Sequence, residues 1–409
     1  MKIFEKQWAL TLLLLPFFKL PFFEHIPSLS FVDSIFDICK IVSAAVIVVS
    51  YLNGRKISRI IICIILFELS LFFSTFINNG NYWSQAVNCG TVVSFCMITE
   101  LAVKKNSRVY FKTVLSIFIP LSIINLLTVF IVPQGLSADS YYGNVYYIIG
   151  SRNGLPPVLI PLMVYSFIYS SLSSRKFTVP VLLFTVIVSA TILKTWSATG
   201  VAGWFIFIAF VILFYRTRLS QLFNSLNLSL IYIAAFFFII VFRLQTLFSF
   251  IIEDMLHKSI TFTGRTDIWD IAILLIKRSP LTGYGVYEGH GFIFVRGLYY
   301  YSHNVILEVL LQGGVVSLVF YIAIFFTAMA NLYRLRQYPV SQLIAFGIFT
   351  VFVMMLMEAY FNIWIFALAV IASCAADIAE QTSDSSVGVI EEKGIPLRSR
   401  YIYYRLRNR

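Results

Sequence analysis

Three of the four histidines, His257, His290 and His303, fall within residues 248–303 of this sequence. His303 sits in YYYSHNVILEVL, where a polar, aromatic stretch turns into an apolar helix. A helix N-terminus supplies free N–H groups and partial positive charge, which favour a neutral imidazole. A neutral imidazole near pH 7 can take a proton from a sugar hydroxyl. The plainer reading is an interfacial histidine beside an aromatic belt. Arg265, in TFTGRTDIW, opens a short helix, and its planar guanidinium suits phosphate oxygens gathered at a helix N-terminus. Its plainer reading is an interfacial cation. Arg152 in GSRNG, Lys194 in KTWSATG and Arg296 lie on the same expected side. Each alone can be a topological anchor. Converging on one mouth with Arg265, they would suit an anionic, lipid-linked substrate. Tyr284, Tyr287, Tyr299, Tyr300 and Tyr301 crowd the same stretch, with Tyr284, Tyr301 and Asn304 as candidate substrate-binding residues. Their rings can stack on sugars, and equally can form an interfacial belt.

The absences narrow the chemistry. The sequence has no glycine-rich phosphate loop, no HExxH, no serine nucleophile elbow and no DxD pair in the outer stretches. The five cysteines lie in apolar runs with no metal-ligand spacing. No cofactor and no metal are therefore expected. A glycosyl transfer here would use a lipid-phosphate donor, with the protein supplying the cations.

The elements that must position these residues are membrane helices. The chain is 59% hydrophobic and 12% charged, about half the roughly 25% charge of a soluble domain, so its surface is solvated by lipid. Apolar runs long enough to span are read near 8–23, 30–52, 57–77, 85–103, 109–132, 154–172, 177–194, 200–215, 228–247, 304–333, 341–357 and 359–377. The last two could form one re-entrant pair. Most of the 31 basic residues fall in alternate connections: Lys2 and Lys6, Arg55 to Arg59, Lys104 to Lys112, Arg175 and Lys176, Arg216 and Arg218, Arg334 and Arg336, and the tail. By the positive-inside rule, an even number of spans with both termini cytoplasmic explains this. The N-terminus lacks a small-x-small cleavage site and reads as an uncleaved first span. The net charge of +12 follows from these tracts and is not a nucleic-acid face, so no nucleic acid is expected. The tail RSRYIYYRLRNR suits anionic lipid.

The fold class expected is thus all-α, a polytopic bundle of about 12 spans with a large extracytoplasmic loop containing short interfacial helices. It divides into nine N-terminal spans (1–247), the loop (248–303), three C-terminal spans (304–378) and a basic cytoplasmic tail (379–409). Within the loop, Asp267–Ile276 reads as a short helix with Thr266 as its N-cap, stopped by SPLTGYG. Residues 133–153 form a second outer segment. The charges Asp33, Asp37, Lys40, Glu68, Arg243, Glu308 and Glu358 are costly in a bilayer and call for partners. Asp37 and Lys40 share a helix face and are expected to pair.

GRTDIWDIAILLIKRSPLTGYG followed by YSHNVILEVLLQGG resembles the bacterial O-antigen ligase and polysaccharide polymerase family. An Arg precedes a Trp, a Pro-x-x-Gly-x-Gly turn follows, and a His-Asn pair opens a helix running to Gly-Gly. Here these are Arg265, Trp269, Pro280, Gly283, Gly285, His303, Asn304, Gly313 and Gly314. The resemblance implies a C-type glycosyltransferase-like helical architecture. It implies inverting transfer from an undecaprenyl-pyrophosphate-linked oligosaccharide on the outer face of the bacterial plasma membrane. His303 would be the general base and Arg265 would steady the departing pyrophosphate. Relatives often carry a Ser-Arg at the outer start of an earlier span; here Ala198 follows Ser197, so Lys194 or Arg152 must supply that cation. A polymerase of O-antigen, capsule or exopolysaccharide is the first expectation, a ligase to lipid A core or another acceptor the second, and a lipid-linked sugar transporter the third. A chain-length regulator and a flippase are partners by resemblance alone.

Overall fold

Proline and capping residues set most helix starts. In the computed structural model, residues 3–23, 30–53, 56–138, 141, 143–172, 177–243, 265–287, 291–295 and 297–384 are described. Helices α1 (Gln7–Leu14), α2 (Ser30–Leu52), α3 (Arg59–Ile77) and α4 (Tyr82–Ile131) precede a small hairpin, β1 (Ser137–Ala138) with β2 (Val145–Tyr146). Then come α5 (Pro156–Ser171), α6 (Val179–Thr195), α7 (Ala198–Phe214) and α8 (Ser225–Phe236), the last continuing as a π-turn over Phe237–Val241. Next are α9 (Arg265–Arg278), a hairpin of β3 (Ile293–Val295) and β4 (Leu298–Tyr300), and α10 (Val305–Arg334). Helices α11 (Pro339–Met355), α12 (Ile363–Ser373) and α13 (Ala375–Asp384) close the described chain. Side chains of Ser58, Asn81, Ser197, Asn224, Asn304 and Asn362 accept from first-turn N–H groups of α3, α4, α7, α8, α10 and α12. Pro156, Pro180 and Pro339 stand in first turns, where a missing N–H costs nothing.

Apolar side chains cover the outside as well as the inside. Ile38, Trp83, Ile212 and Phe326 are among many large apolar side chains more than half exposed. The interior holds an aromatic knot, where Trp364 of α12 stacks on Phe18 and meets Phe95, Phe118 and Tyr165 edge-on. A chain that exposes apolar bulk on this scale is dissolved in lipid.

Among the described residues, four helices are long and apolar enough to cross a bilayer: Phe31–Leu52, Arg59–Ile77, Tyr82–Ile131 and Val305–Arg334. A fifth is reached if Ile363–Ser373 and Ala375–Thr382, bent by 63°, form one span. Six other apolar helices have 10–17 residues. Length and composition thus do not establish the expected twelve. The runs expected at 85–103 and 109–132 both lie in α4, as two helices that meet at a kink at Asn106 (φ −156°, ψ 93°). The loop helix is longer than expected, beginning at Arg265, so Thr266 lies inside its first turn and is not the cap. The loops also carry two short antiparallel hairpins beside the expected helix, at 137–146 and 293–300. Asp37 and Lys40 do pair, at 2.8 Å, and Lys19 joins them. The tail beyond residue 384 and His25, His257 and His290 lie outside the described residues.

Candidate active site

The site is assembled where two helix starts meet the α11–α12 connection. Asn304, extended at φ −148°, begins α10, and its Oδ1 accepts from Ile306 N–H (3.0 Å) and Leu307 N–H (3.1 Å). Its Nδ2 donates to the Leu356 carbonyl at 3.0 Å, tying the start of α10 to the connection that carries Glu358. The residue before it, His303, holds the left-handed backbone (φ 52°). Such a conformation costs energy in a non-glycine residue and persists when its surroundings over-determine it. They do so here. Ser302 N–H donates to Glu308 Oε2 at 2.7 Å, Ser302 Oγ to the Asn304 carbonyl at 2.8 Å, and Trp269 Nε1–H to the Ser302 carbonyl at 3.0 Å. Glu308 is itself held by Tyr287 Oη–H (2.7 Å) and Gln312 Nε2–H (2.9 Å).

Three groups converge on Glu358, whose side chain is 2% exposed. Arg265, at the start of α9, donates Nη2–H to Oε1 at 2.5 Å. Tyr301 donates its hydroxyl to Oε2 at 3.0 Å, and His303 Nδ1 lies 3.2 Å from the same oxygen. The Tyr301 and His303 rings are 4.1 Å apart at their centroids. Burial by itself would raise the Glu358 carboxyl. The hydrogen bond and charge of His303, with Arg265 and Tyr301, more than offset it and hold the group below the ordinary glutamate value. Burial pushes the Tyr301 phenol up, and Glu358 adds to it, so Tyr301 stays a donor. An ionised carboxylate only accepts, so the hydrogen bond runs from Nδ1–H to Oε2, and Nε2 is the nitrogen that faces away from Glu358. In the neutral ring with Nδ1 so held, Nε2 carries the lone pair a base needs. Glu358 is the only hydrogen-bond partner of Arg265 among the described residues, and the arginine is 21% exposed, leaving guanidinium edges for an anion.

The glycines of the motif fix how α9 and α10 approach. Tyr284 N–H donates to the Leu311 carbonyl (2.7 Å), Gly285 N–H to Gln312 (2.9 Å) and Val315 N–H to Pro280 (2.8 Å), threading the turn through a break in α10. At that break Gly314 has φ 63°, and a Cβ there would stand 2.2 Å from the Leu281 carbonyl oxygen. A Cβ on Gly283 (φ 66°) would stand 2.5 Å from the Leu311 oxygen. Both positions thus need glycine for conformation and for space. Helix α3 completes the joint, with Ser74 Oγ bonded to the Thr282 and Gln312 carbonyls and Thr75 Oγ1 accepting from Val286 N–H.

The other expected residues fall into three groups. Asn304 is committed to capping and to Leu356, and Tyr284 donates its hydroxyl to the Leu275 carbonyl of α9 at 2.8 Å. Both therefore build the site's frame. Arg152 and Lys194 lie on a neighbouring rim. Arg152 Nη2 donates to the Trp196 carbonyl, Ser197 Oγ to Asn153 Oδ1 at 3.0 Å, and Lys194 sits 5.4 Å over the Phe130 ring. That rim joins the Glu358 connection through Asn362 Nδ2, which donates to the Pro157 carbonyl at 3.2 Å. Neither cation has a carboxylate partner among the described residues. Arg296 lies outside the described residues. Sequence reasoning flagged Glu358 as needing a partner but did not bring it to His303 and Arg265, and it missed the role of Glu308.

Both helix starts lie in one stretch with a known likeness. Residues 183–322 match the O-antigen ligase family. This stretch contains the motif from Arg265 to Gly314, so the resemblance read from the motif holds over it. No curated protein and no solved structure matches the chain significantly. The O-antigen ligase match and the apolar helices together mark a membrane protein of surface-polysaccharide synthesis.

Proposed function

We propose that the chain is a polysaccharide polymerase, moving glycan from an undecaprenyl-pyrophosphate donor to a sugar hydroxyl of a lipid-linked repeat unit. The convergence of His303 and Arg265 on Glu358 carries this reading. His303 Nε2 accepts the proton of the acceptor hydroxyl, and the oxygen attacks the anomeric carbon. The bond from that carbon to phosphate oxygen breaks as the new glycosidic bond forms, inverting the centre. Negative charge grows on the departing pyrophosphate, where a fixed guanidinium stabilises the transition state more than the ground state. Glu358 balances the imidazolium formed. Arg152 and Lys194 on the adjoining rim supply further positive charge to the donor.

The topology that goes with this reading has about twelve crossings, with the site on the extracytoplasmic face of the plasma membrane and both termini inside. Cross-helix bonds support it, because they pair ends that the alternation puts on one side. Ser74 meets the 280–285 turn and Asn125 Oδ1 accepts from Ile149 N–H on the site side. Arg108 bonds Leu172, Asn331 bonds Ala372 and Gln381 bonds Val103 on the other. The shorter helices then cross with their capped ends in the interface.

The test is purified protein in liposomes given pyrophosphate-linked repeat unit alone. A ladder of longer lipid-linked glycans is the expected result. Product that forms only after a lipid A core acceptor is added would make the chain a ligase. Movement of intact donor across the bilayer without transfer would make it a transporter.

A further inference from the structure

The β3–β4 hairpin leads directly into the site, reaching His303 three residues after Tyr300, with the Tyr300 and His303 rings 6.4 Å apart. Its two faces differ. Ile293 is fully buried, and Val295 and Tyr300 pack with it against α9, in the cluster around Trp269 and Ile268. The other face carries Phe294 and Tyr299, direct cross-strand partners with ring centroids 4.9 Å apart, exposed by 56% and 48%. Strand alternation explains why residues 294 and 299 point away from the buried set. It does not explain why both are aromatic.

A lipid-belt role fits other aromatics better. Trp83 and Trp196 stand at helix ends, 73% and 58% exposed, where belt residues belong. The hairpin is two strands, and open strand edges do not lie in hydrocarbon, because their N–H and C=O groups need partners. One such group, Tyr299 N–H, is met at 2.9 Å by the hydroxyl of Tyr141 from the other outer loop. The Phe294–Tyr299 pair therefore stands in the aqueous mouth, between two loops and beside the candidate base. Exposed apolar surface in such a place marks a binding patch.

Building on the glycan-transfer reading, we infer that Phe294 and Tyr299 form a stacking platform for a sugar ring of the acceptor glycan, steadied by Tyr141. A pyranose presents an apolar C–H face that lies flat on an aromatic ring, while its hydroxyls stay in water. The platform sets acceptor affinity and register, while His303 and Arg265 act on the bonds.

The test uses full-length protein in nanodiscs and two probes prepared from cells lacking this chain. One is the lipid-linked repeat unit, and the other is its oligosaccharide released from pyrophosphate by mild acid. Phe294→Ala and Tyr299→Ala should each raise the acceptor KM by roughly three- to tenfold with kcat within about twofold, as loss of one aromatic contact predicts. Phe294→Trp should keep the wild-type KM, Tyr141→Phe should raise it, and Trp83→Ala should leave it unchanged. Both alanine variants remove exposed side chains, and unaltered thermal unfolding will show that they fold. Unchanged KM in both overturns the platform, as does an equal rise in Trp83→Ala, which would indicate a lipid effect. If wild-type protein transfers nothing, the transfer reading fails by itself. The platform is then decided by binding of the released oligosaccharide, which should be present in wild type and weakened in Phe294→Ala.

Discussion

Replacing Glu358 by glutamine keeps the volume and shape of the side chain while removing its charge and one acceptor. Three donors meet its two oxygens: Arg265 Nη2–H at one, Tyr301 Oη–H and His303 Nδ1–H at the other. A carboxamide offers one oxygen and one NH2 group. With the amide oxygen toward Arg265, the NH2 faces His303, which must accept at Nδ1 and carry its proton on Nε2. The base is then lost. With the oxygen toward His303, the NH2 opposes the guanidinium and displaces it. Loss of a positioned base costs about 10²–10⁴ in rate, and loss of one donor to a developing oxyanion about 10²–10³. Glu358→Gln should therefore slow single-turnover transfer in liposomes at least about a hundredfold, or roughly 3 kcal/mol of barrier. A rate within about threefold of wild type would refute the reasoning. The acid side offers a second reading of the same group. Because the folded carboxyl is held below the ordinary glutamate value, its stabilisation is present above that value and is lost as pH falls through the folded one. The gap in thermal stability between wild type and Glu358→Gln should narrow in that acid range.

Three further outcomes follow from the geometry. Arg265→Lys should lower kcat by about 10–100-fold, because an ammonium cannot hold Glu358 and a phosphate oxygen with one planar fork; this is read by steady-state transfer. Gly314→Ala should destabilise the protein by at least about 1–3 kcal/mol from its backbone conformation alone, with the clash on Leu281 in addition, measured by thermal unfolding in detergent. Transfer should survive EDTA, and a loss restored by magnesium would contradict a mechanism built on protein cations.

The ends of the site were legible in sequence, and its centre was not. Arg265 and His303 stand beside glycines and a tryptophan in a fixed order, so local pattern marks them. Glu358 lies 55 residues beyond His303, in the gap between two apolar runs. Hydropathy shows such a carboxylate as an anomaly needing a partner, but the partner depends on how α11 and α12 reach the start of α10. Lys104 and Lys105 mark a connection between two apolar runs, and the structure breaks the helix there, at Asn106. Thr266 had the right type for a cap, but the helix begins two residues earlier than expected, at Arg265, whose side chain bonds Glu358. The hairpins have two- and three-residue strands, too short for period-two alternation to stand out.

The central claim is that His303 takes the acceptor proton in a glycosyl transfer. The most direct measurement compares wild-type and His303→Ala protein, equally inserted in liposomes, on pyrophosphate-linked repeat unit. The wild type should give a ladder of extended glycans and the variant none, with donor still bound by both. A ladder from His303→Ala at the wild-type rate would contradict the claim.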